Sequence, residues 1–257
     1  MTINLKYLFP FLFLFLTSFN VKEGKKINII FIGDSITEGG ALANPSADAT
    51  PILVEQHLKT LKLFSAVRIA NMGFSGHTTV DFLPESNTDF LKVLAAANTF
   101  ALDKEATLIF SIMLGTNDSA NFGPNGSPVS AENYKANLKL IIDSLLEQFP
   151  TAIFILQYPL WYSSNTYNNS SYLQEGLNRL HKYSIELSDL VEQYQINYSK
   201  QVFAGDRSSI KLFRKNYKNL YKPENGKEGI FYLHPNAEGS KVLSKIWANN
   251  ILNIINN

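Results

Sequence analysis

The stretch Ile27-Asn28-Ile29-Ile30-Phe31-Ile32-Gly33-Asp34-Ser35 decides how the rest of the chain is read. Asn28 apart, Ile27 to Ile32 is an apolar, Ile-rich run, the pattern of a strand buried on both faces. Gly33 can take the sharp turn that leaves a strand end, which sets Ser35 at the mouth of a sheet. A strand of this kind belongs in a parallel sheet covered by helices.

The elements that follow alternate accordingly. Pro51 to Leu63 has helical spacing through Leu53, Val54, His57, Leu58 and Leu61. Val67 to Ala70 reads as a second strand, Asp89 to Ala97 as a helix and Ala106 to Leu114 as a third strand. Ala131 to Phe149 is an amphipathic helix with Leu138, Ile141, Leu145 and Leu146 on one stripe, Ser130 as N-cap and Pro150 as stop. Ala152 to Leu156 is a fourth strand, Ser171 to Tyr194 a long helix and Val202 to Ala204 a short fifth strand. Ser209 to Leu220 and Asn236 to Ile254 are helical. Gly123 to Pro128 and Lys222 to Gly229, rich in Gly, Pro and Asn, read as loops. The alternation predicts an α/β fold: a three-layer α/β/α sandwich on a parallel sheet of about five strands.

Composition narrows the function. With Lys plus Arg at 23 and Asp plus Glu at 22, the 257 residues carry a net charge of +1. That balance, with no basic block, argues against a nucleic-acid partner, which needs a cationic face. The absence of cysteine excludes disulfide scaffolds, thiol catalysis and thiolate zinc sites. The chain is 45% hydrophobic, too apolar for a disordered protein.

Residues 1–20 form a separate object. Tyr7 to Leu16 is an unbroken apolar run preceded by Lys6 and followed by Thr17-Ser18. It is much shorter than the roughly 17–25 residues that span a bilayer. The pattern is that of a secretory signal peptide; an N-terminal strand or a retained anchor are the alternatives. The expectation is an exported protein, periplasmic or secreted, with residues 21–257 as one domain and no stable membrane insertion after signal removal.

In parallel α/β sheets, ligands bind beyond the carboxyl ends of the strands. The first strand ends in Gly33-Asp34-Ser35, where the serine is a nucleophile or a helix N-cap. The second ends in Asn71-Met72-Gly73-Phe74-Ser75-Gly76-His77, whose glycines let backbone approach a ligand or make an ordinary turn. The third ends in Gly115-Thr116-Asn117-Asp118, where Asn117 is an oxyanion donor or a turn residue. His234 precedes Pro235-Asn236, a good helix start, and sits where it can reach the sheet mouth. Singly, each has an ordinary reading. Together they supply a nucleophile, donors and a base, the inventory of acyl transfer through a tetrahedral intermediate.

Those four ordered blocks resemble the SGNH hydrolase superfamily, the GDSL esterases and lipases, from about Ile27 to Ile254. The resemblance implies a flavodoxin-like α/β/α sandwich. It implies Ser35 as nucleophile, His234 as general base, and an oxyanion hole from the Ser35 amide, the Gly76 amide and the Asn117 side chain. It requires no metal or organic cofactor. One position departs. The family places an Asp three residues before the His, and here that residue is Phe231. The expectation is therefore a Ser35–His234 dyad whose imidazole is oriented by a main-chain carbonyl or by a displaced carboxylate. Glu228 and Glu224 are the nearest candidates and Asp206 a remote one. A carboxylate within about 3.2 Å of the distal ring nitrogen would exclude the carbonyl.

For substrate, the stretch Gln157-Tyr158-Pro159-Leu160-Trp161-Tyr162 follows the fourth strand, with Tyr167 and Tyr172 beyond it. Trp161 and Tyr158 are candidates to stack on sugar rings; packing of the loop onto the domain is the alternative. His77, beside Gly76, is a candidate pocket residue or an exposed loop histidine. The expected activity is hydrolysis of small esters, O-deacetylation of a glycan first. A lipolytic esterase and a sugar-binding relative without turnover are the alternatives.

Overall fold

The computed structural model describes residues 24–256. The expected signal segment, residues 1–20, lies outside them. Five parallel strands form the central sheet: β1 (Lys25–Gly33), β2 (Phe64–Gly73), β3 (Ala106–Met113), β4 (Ile153–Leu156) and β5 (Val202–Ala204), in the order β2-β1-β3-β4-β5. This is the flavodoxin-like order, and its switch point falls between β1 and β3. Among the described residues, no helix is long and apolar enough to cross a membrane.

The pleat of β1 shows why its run, Asn28 apart, is apolar on both faces. Ile30 and Ile32 face one helical layer, while Ile27, Ile29 and Phe31 face the other. The first layer holds α4 (Asp89–Phe100), α5 (Ala131–Gln148) and α6 (Leu173–Tyr198). Tyr134 of α5 stacks on Tyr183 of α6 with ring centroids 4.3 Å apart. The second layer holds α3 (Thr50–Lys59), α7 (Ser208–Lys215) and α9 (Ala237–Asn256). Phe31 stacks on Trp247 of α9 there, at 5.5 Å and 12°. Ser130 does cap α5, its hydroxyl accepting from the Asn133 amide at 3.1 Å.

Three sequence expectations change. The second strand is longer than Val67 to Ala70, because an edge strand, half-buried, carries polar residues that break an apolar run. The helix over 209–220 is split at Asn216 into α7 and a turn, α8 (Tyr217–Leu220). Most consequential, Lys222 to Gly229 is not a loop. It supplies strand β6 (Tyr221–Gly226) and the turn into β7 (Gly229–Pro235), an antiparallel ribbon outside the main sheet. Pro223 is tolerated because a two-stranded ribbon consists only of edges. Two short helices, α1 (Ser35–Glu38) and α2 (Pro45–Asp48), follow the first strand.

Candidate active site

The first strand turn is set by space. A Cβ on Gly33 would lie 2.1 Å from the Thr37 hydroxyl and 2.8 Å from the Met113 carbonyl, so only glycine fits. The cap of α1 is Asp34, whose Oδ1 accepts from the Ile36 amide at 2.9 Å. That leaves the Ser35 hydroxyl free of capping duty, and it lies 3.0 Å from His234 Nε2.

The second strand end is clamped against the first. Asn71 Nδ2 donates to the Thr37 carbonyl at 3.0 Å, and its Oδ1 accepts from the Gly73 amide at 3.0 Å. Gly76 has φ +81°, and nothing lies within 4 Å of a Cβ placed there. Neither the Ser35 amide nor the Gly76 amide donates to another group among the described residues.

The third strand end carries Asn117, which is 3% exposed. Its Nδ2 donates to the His77 carbonyl at 2.9 Å, and its Oδ1 accepts from the Tyr172 hydroxyl at 2.7 Å. Because a carbonyl can only accept, the amide orientation is fixed, and one N–H is left over. Burial pushes the Tyr172 phenol well up, so it stays a protonated donor. Tyr172 is itself held: its amide and that of Leu173 donate to the Thr166 carbonyl at 3.1 and 3.3 Å. Leu173 has φ +54°, a left-handed conformation that costs a bulky residue about 1–3 kcal/mol.

His234 lies near the end of β7, and Asn236 after it caps α9 by accepting from the Gly239 amide at 2.9 Å. Its Nδ1 donates to Glu224, with Oε1 at 2.9 Å and Oε2 at 3.0 Å. The main-chain carbonyl expectation is therefore overturned, and of the three acids considered Glu224 is the one in place. Glu224 pairs directly across the ribbon from Phe231. The acid has changed strands, and Phe231, 1% exposed, has joined the core instead.

Asp34 and Asp118 are fully buried, and desolvation raises both carboxyls to about 6. For Asp34 the Ile36 amide and the charge of His234 pull the other way. For Asp118 the opposing bonds come from Thr79, whose amide and hydroxyl both donate to Oδ1. Asp118 thereby ties the loop after β2 to the loop after β3.

Ser35, Gly76, Asn117, Glu224 and His234 all open on one cleft of about 820 Å³. Its walls also carry Ser75, Asn168, Asn169, Ser170, Asn225 and Tyr172, with Lys222 and Lys227. Three expected pocket residues are elsewhere. Tyr158 is buried under α6, its hydroxyl 2.7 Å from Ser188 Oγ. Trp161 packs on Tyr217 and Tyr221 and lines a separate groove of about 540 Å³ beside α6 and α7. His77 turns its ring to Asp89 and Phe74 and serves Asn117 with its carbonyl alone. The reason is direction. The chain after β4 turns Tyr158 and Tyr162 into the core and Trp161 toward the groove beside α6 and α7, and it reaches the cleft only with Asn168 to Tyr172.

The strand order, with Ser, Gly and Asn after the strand ends and His on the ribbon beside them, is that of the SGNH hydrolases, which hydrolyse ester bonds. Residues 31–242 match the GDSL-like lipase/acylhydrolase family, and the chain belongs to that family. Comparison with curated proteins finds no match. Among solved structures, a lipase/acylhydrolase from Enterococcus faecalis is similar over 88% of this chain and 95% of its own, with 18% identity and a TM-score of 0.58. An acetylxylan esterase from Geobacillus stearothermophilus is similar over 90% and 96%, with 22% identity and a TM-score of 0.57. A two-domain esterase active on acetylated mannans is similar over 90% of this chain and 50% of its own, with 16% identity and a TM-score of 0.58.

Proposed function

We propose that the protein is an exported serine esterase that removes acetyl groups from a carbohydrate. The observation that carries this reading is the line Ser35 Oγ, His234, Glu224, closed at 3.0 Å on one side of the imidazole and 2.9 Å on the other. Glu224 accepts from Nδ1–H, so Nε2 is the unprotonated nitrogen and faces the hydroxyl. Ser35 Oγ attacks the ester carbonyl carbon while Nε2 takes its proton. The oxyanion of the tetrahedral intermediate meets the Ser35 amide, the Gly76 amide and the remaining N–H of Asn117. The C–O bond to the sugar breaks, and the imidazolium returns the proton to the departing alkoxide. Water, deprotonated by the same nitrogen, then releases acetate from Ser35.

The cleft supports a carbohydrate rather than an acyl chain. Asn168, Asn169, Ser170, Asn225 and Ser75 line it, side chains that bond sugar hydroxyls, and the apolar pocket beside Ser35, lined by Ile36, Ala41, Leu42 and Pro235, is only about 10 Å³, too small for an acyl chain. The acetylxylan and acetylated-mannan esterases among the similar structures point the same way. Export rests on the basic start, short apolar run and polar end of residues 1–20.

The test offers p-nitrophenyl acetate, p-nitrophenyl decanoate and acetylated xylo-oligosaccharides to the wild type and Ser35→Ala. The expected result is acetate release from the acetyl esters only, lost in the variant. Preference for decanoate would make the protein lipolytic. Binding of the oligosaccharide with no turnover of any ester would make it a binding relative. N-terminal sequencing of protein recovered outside the cytoplasm is expected to begin near residue 21; a chain still starting at Met1 would count against export.

A further inference from the structure

Within the reading above, the charge of the cleft says more about the substrate. Four side chains lining it can carry charge: Lys222, Glu224, Lys227 and His234. Glu224 is the only carboxylate among them, and both its oxygens are taken by His234. Glu38, at the rim, accepts from the Ser75 hydroxyl and does not itself line the cleft. Neither lysine forms an ion pair among the described residues. Lys222 Nζ reaches only the Ala41 carbonyl, at 3.4 Å. Lys227 Nζ stands 4.4 Å over the Tyr167 ring.

The two ammonium groups rest on different elements of the cleft wall. Lys222 sits at the base of the ribbon, beside the loop that follows α1. Lys227 sits in its turn, where its amide donates to the Tyr167 carbonyl at 2.7 Å and ties the ribbon to the loop after β4. Their backbone positions are five residue steps apart along the ribbon, roughly 16 Å of extended chain. A polymer with negative charge on either side of the ester can meet both.

We infer that the natural substrate is an acidic glycan, an acetylated chain whose negatively charged sugars flank the acetylated residue and meet Lys222 on one side and Lys227 on the other. An ammonium is a point charge that does not select between carboxylate and sulfate. The shared chemistry is therefore fixed negative charge. A cleft already carrying one carboxylate would otherwise be balanced by a single cation, and neither lysine has an ionic partner among the described residues.

The experiment compares kcat/KM for acetylated oligogalacturonate and acetylated xylo-oligosaccharide, in the wild type and in Lys222→Gln/Lys227→Gln. The expected preference for the acidic chain is about two- to thirty-fold, the range for two exposed charge contacts. It falls toward one in the double variant and in 0.5 M salt, because exposed charges are screened. The ratio cancels any loss common to both substrates. Equal turnover of the two chains, or faster turnover of the neutral one, would overturn the inference. If neither sugar is deacetylated while p-nitrophenyl acetate is, the carbohydrate reading fails separately. The charge reading is then decided on 4-acetoxybenzoate and 4-acetoxybenzenesulfonate against methyl 4-acetoxybenzoate. Preference for either anionic ester upholds attraction of negative charge, and no preference ends it.

Discussion

Glu224 holds His234 from the neighbouring strand of the ribbon, with both carboxylate oxygens at 2.9 and 3.0 Å from the imidazole Nδ1. The His234 amide also donates to Oε1, at 3.3 Å. One side chain thus fixes ring, tautomer and backbone together. Glu224→Gln keeps the shape but lets an NH2 face Nδ1, which favours the wrong tautomer. In the serine-protease case such an exchange lowers turnover about 10⁴-fold. Here kcat on p-nitrophenyl acetate is expected to fall about 10²- to 10⁴-fold, since an amide oxygen can still accept. The melting temperature is expected to stay within a few degrees. A loss under threefold would remove Glu224 from the mechanism.

Much of the fold was legible because its signals are local. Gly33-Asp34-Ser35, Asn71 to Gly76 and Gly115 to Asp118 each join a strand to its turn within a few residues. The parallel order then brings them to one edge. The partner of His234 is different in kind. Lys222-Pro223-Glu224-Asn225-Gly226-Lys227 has the composition of a loop, and only pairing with the strand after it makes it β6. Ten residues separate Glu224 from His234, and no periodicity links them. Trp161 and Tyr158 misled for a related reason. Their position after β4 was readable, but the course of the chain at Pro159, away from the cleft, was not.

Tyr172 makes a second case for action through another residue. Its hydroxyl holds the Asn117 amide at 2.7 Å but lies one step behind the proposed oxyanion hole. Tyr172→Phe is expected to lower kcat about 10- to 100-fold with KM nearly unchanged, a part of the 10²–10³ carried by an oxyanion donor. In an Asn117→Ala background the same change is expected to do little more, since the amide it orients is gone. Full additivity of the two losses would reduce Tyr172 to a packing residue.

Asp34 and Asp118 give stability a particular pH dependence. Their carboxyls rise from 3.8 unfolded to about 6 folded, chiefly through desolvation. Between those values the native state binds more protons than the unfolded state, so these groups make stability fall as pH rises from about 4 to 6. The loss then persists above pH 6, on the order of 2–3 kcal/mol for each group. Asp34→Asn keeps an oxygen for the Ile36 amide and removes the charge. It is expected to be more stable than the wild type at pH 8 and to lose that advantage by pH 4. Urea titrations of both proteins at the two pH values check the sign. An advantage confined to low pH would refute it.

Phe231 occupies the position where the family keeps its acid, so Phe231→Asp is the change that a sequence comparison alone would suggest. The structure argues against it. The Phe231 ring is packed among core residues, and a Cβ on Gly226 would lie 2.7 Å from it. An Asp there leaves a cavity and buries a carboxylate in an apolar layer. Phe to Ala alone costs about 3–5 kcal/mol at such sites, and an unpaired buried carboxylate adds to it. Phe231→Asp is therefore expected to unfold at markedly lower temperature and to be less active. In the Glu224→Gln background it is expected to restore no turnover, because the strand that carries it has turned this position to the core. Recovery of kcat in the double variant, read on p-nitrophenyl acetate below its melting temperature, would show that the two acid positions are interchangeable and that the strand exchange carries no structural constraint.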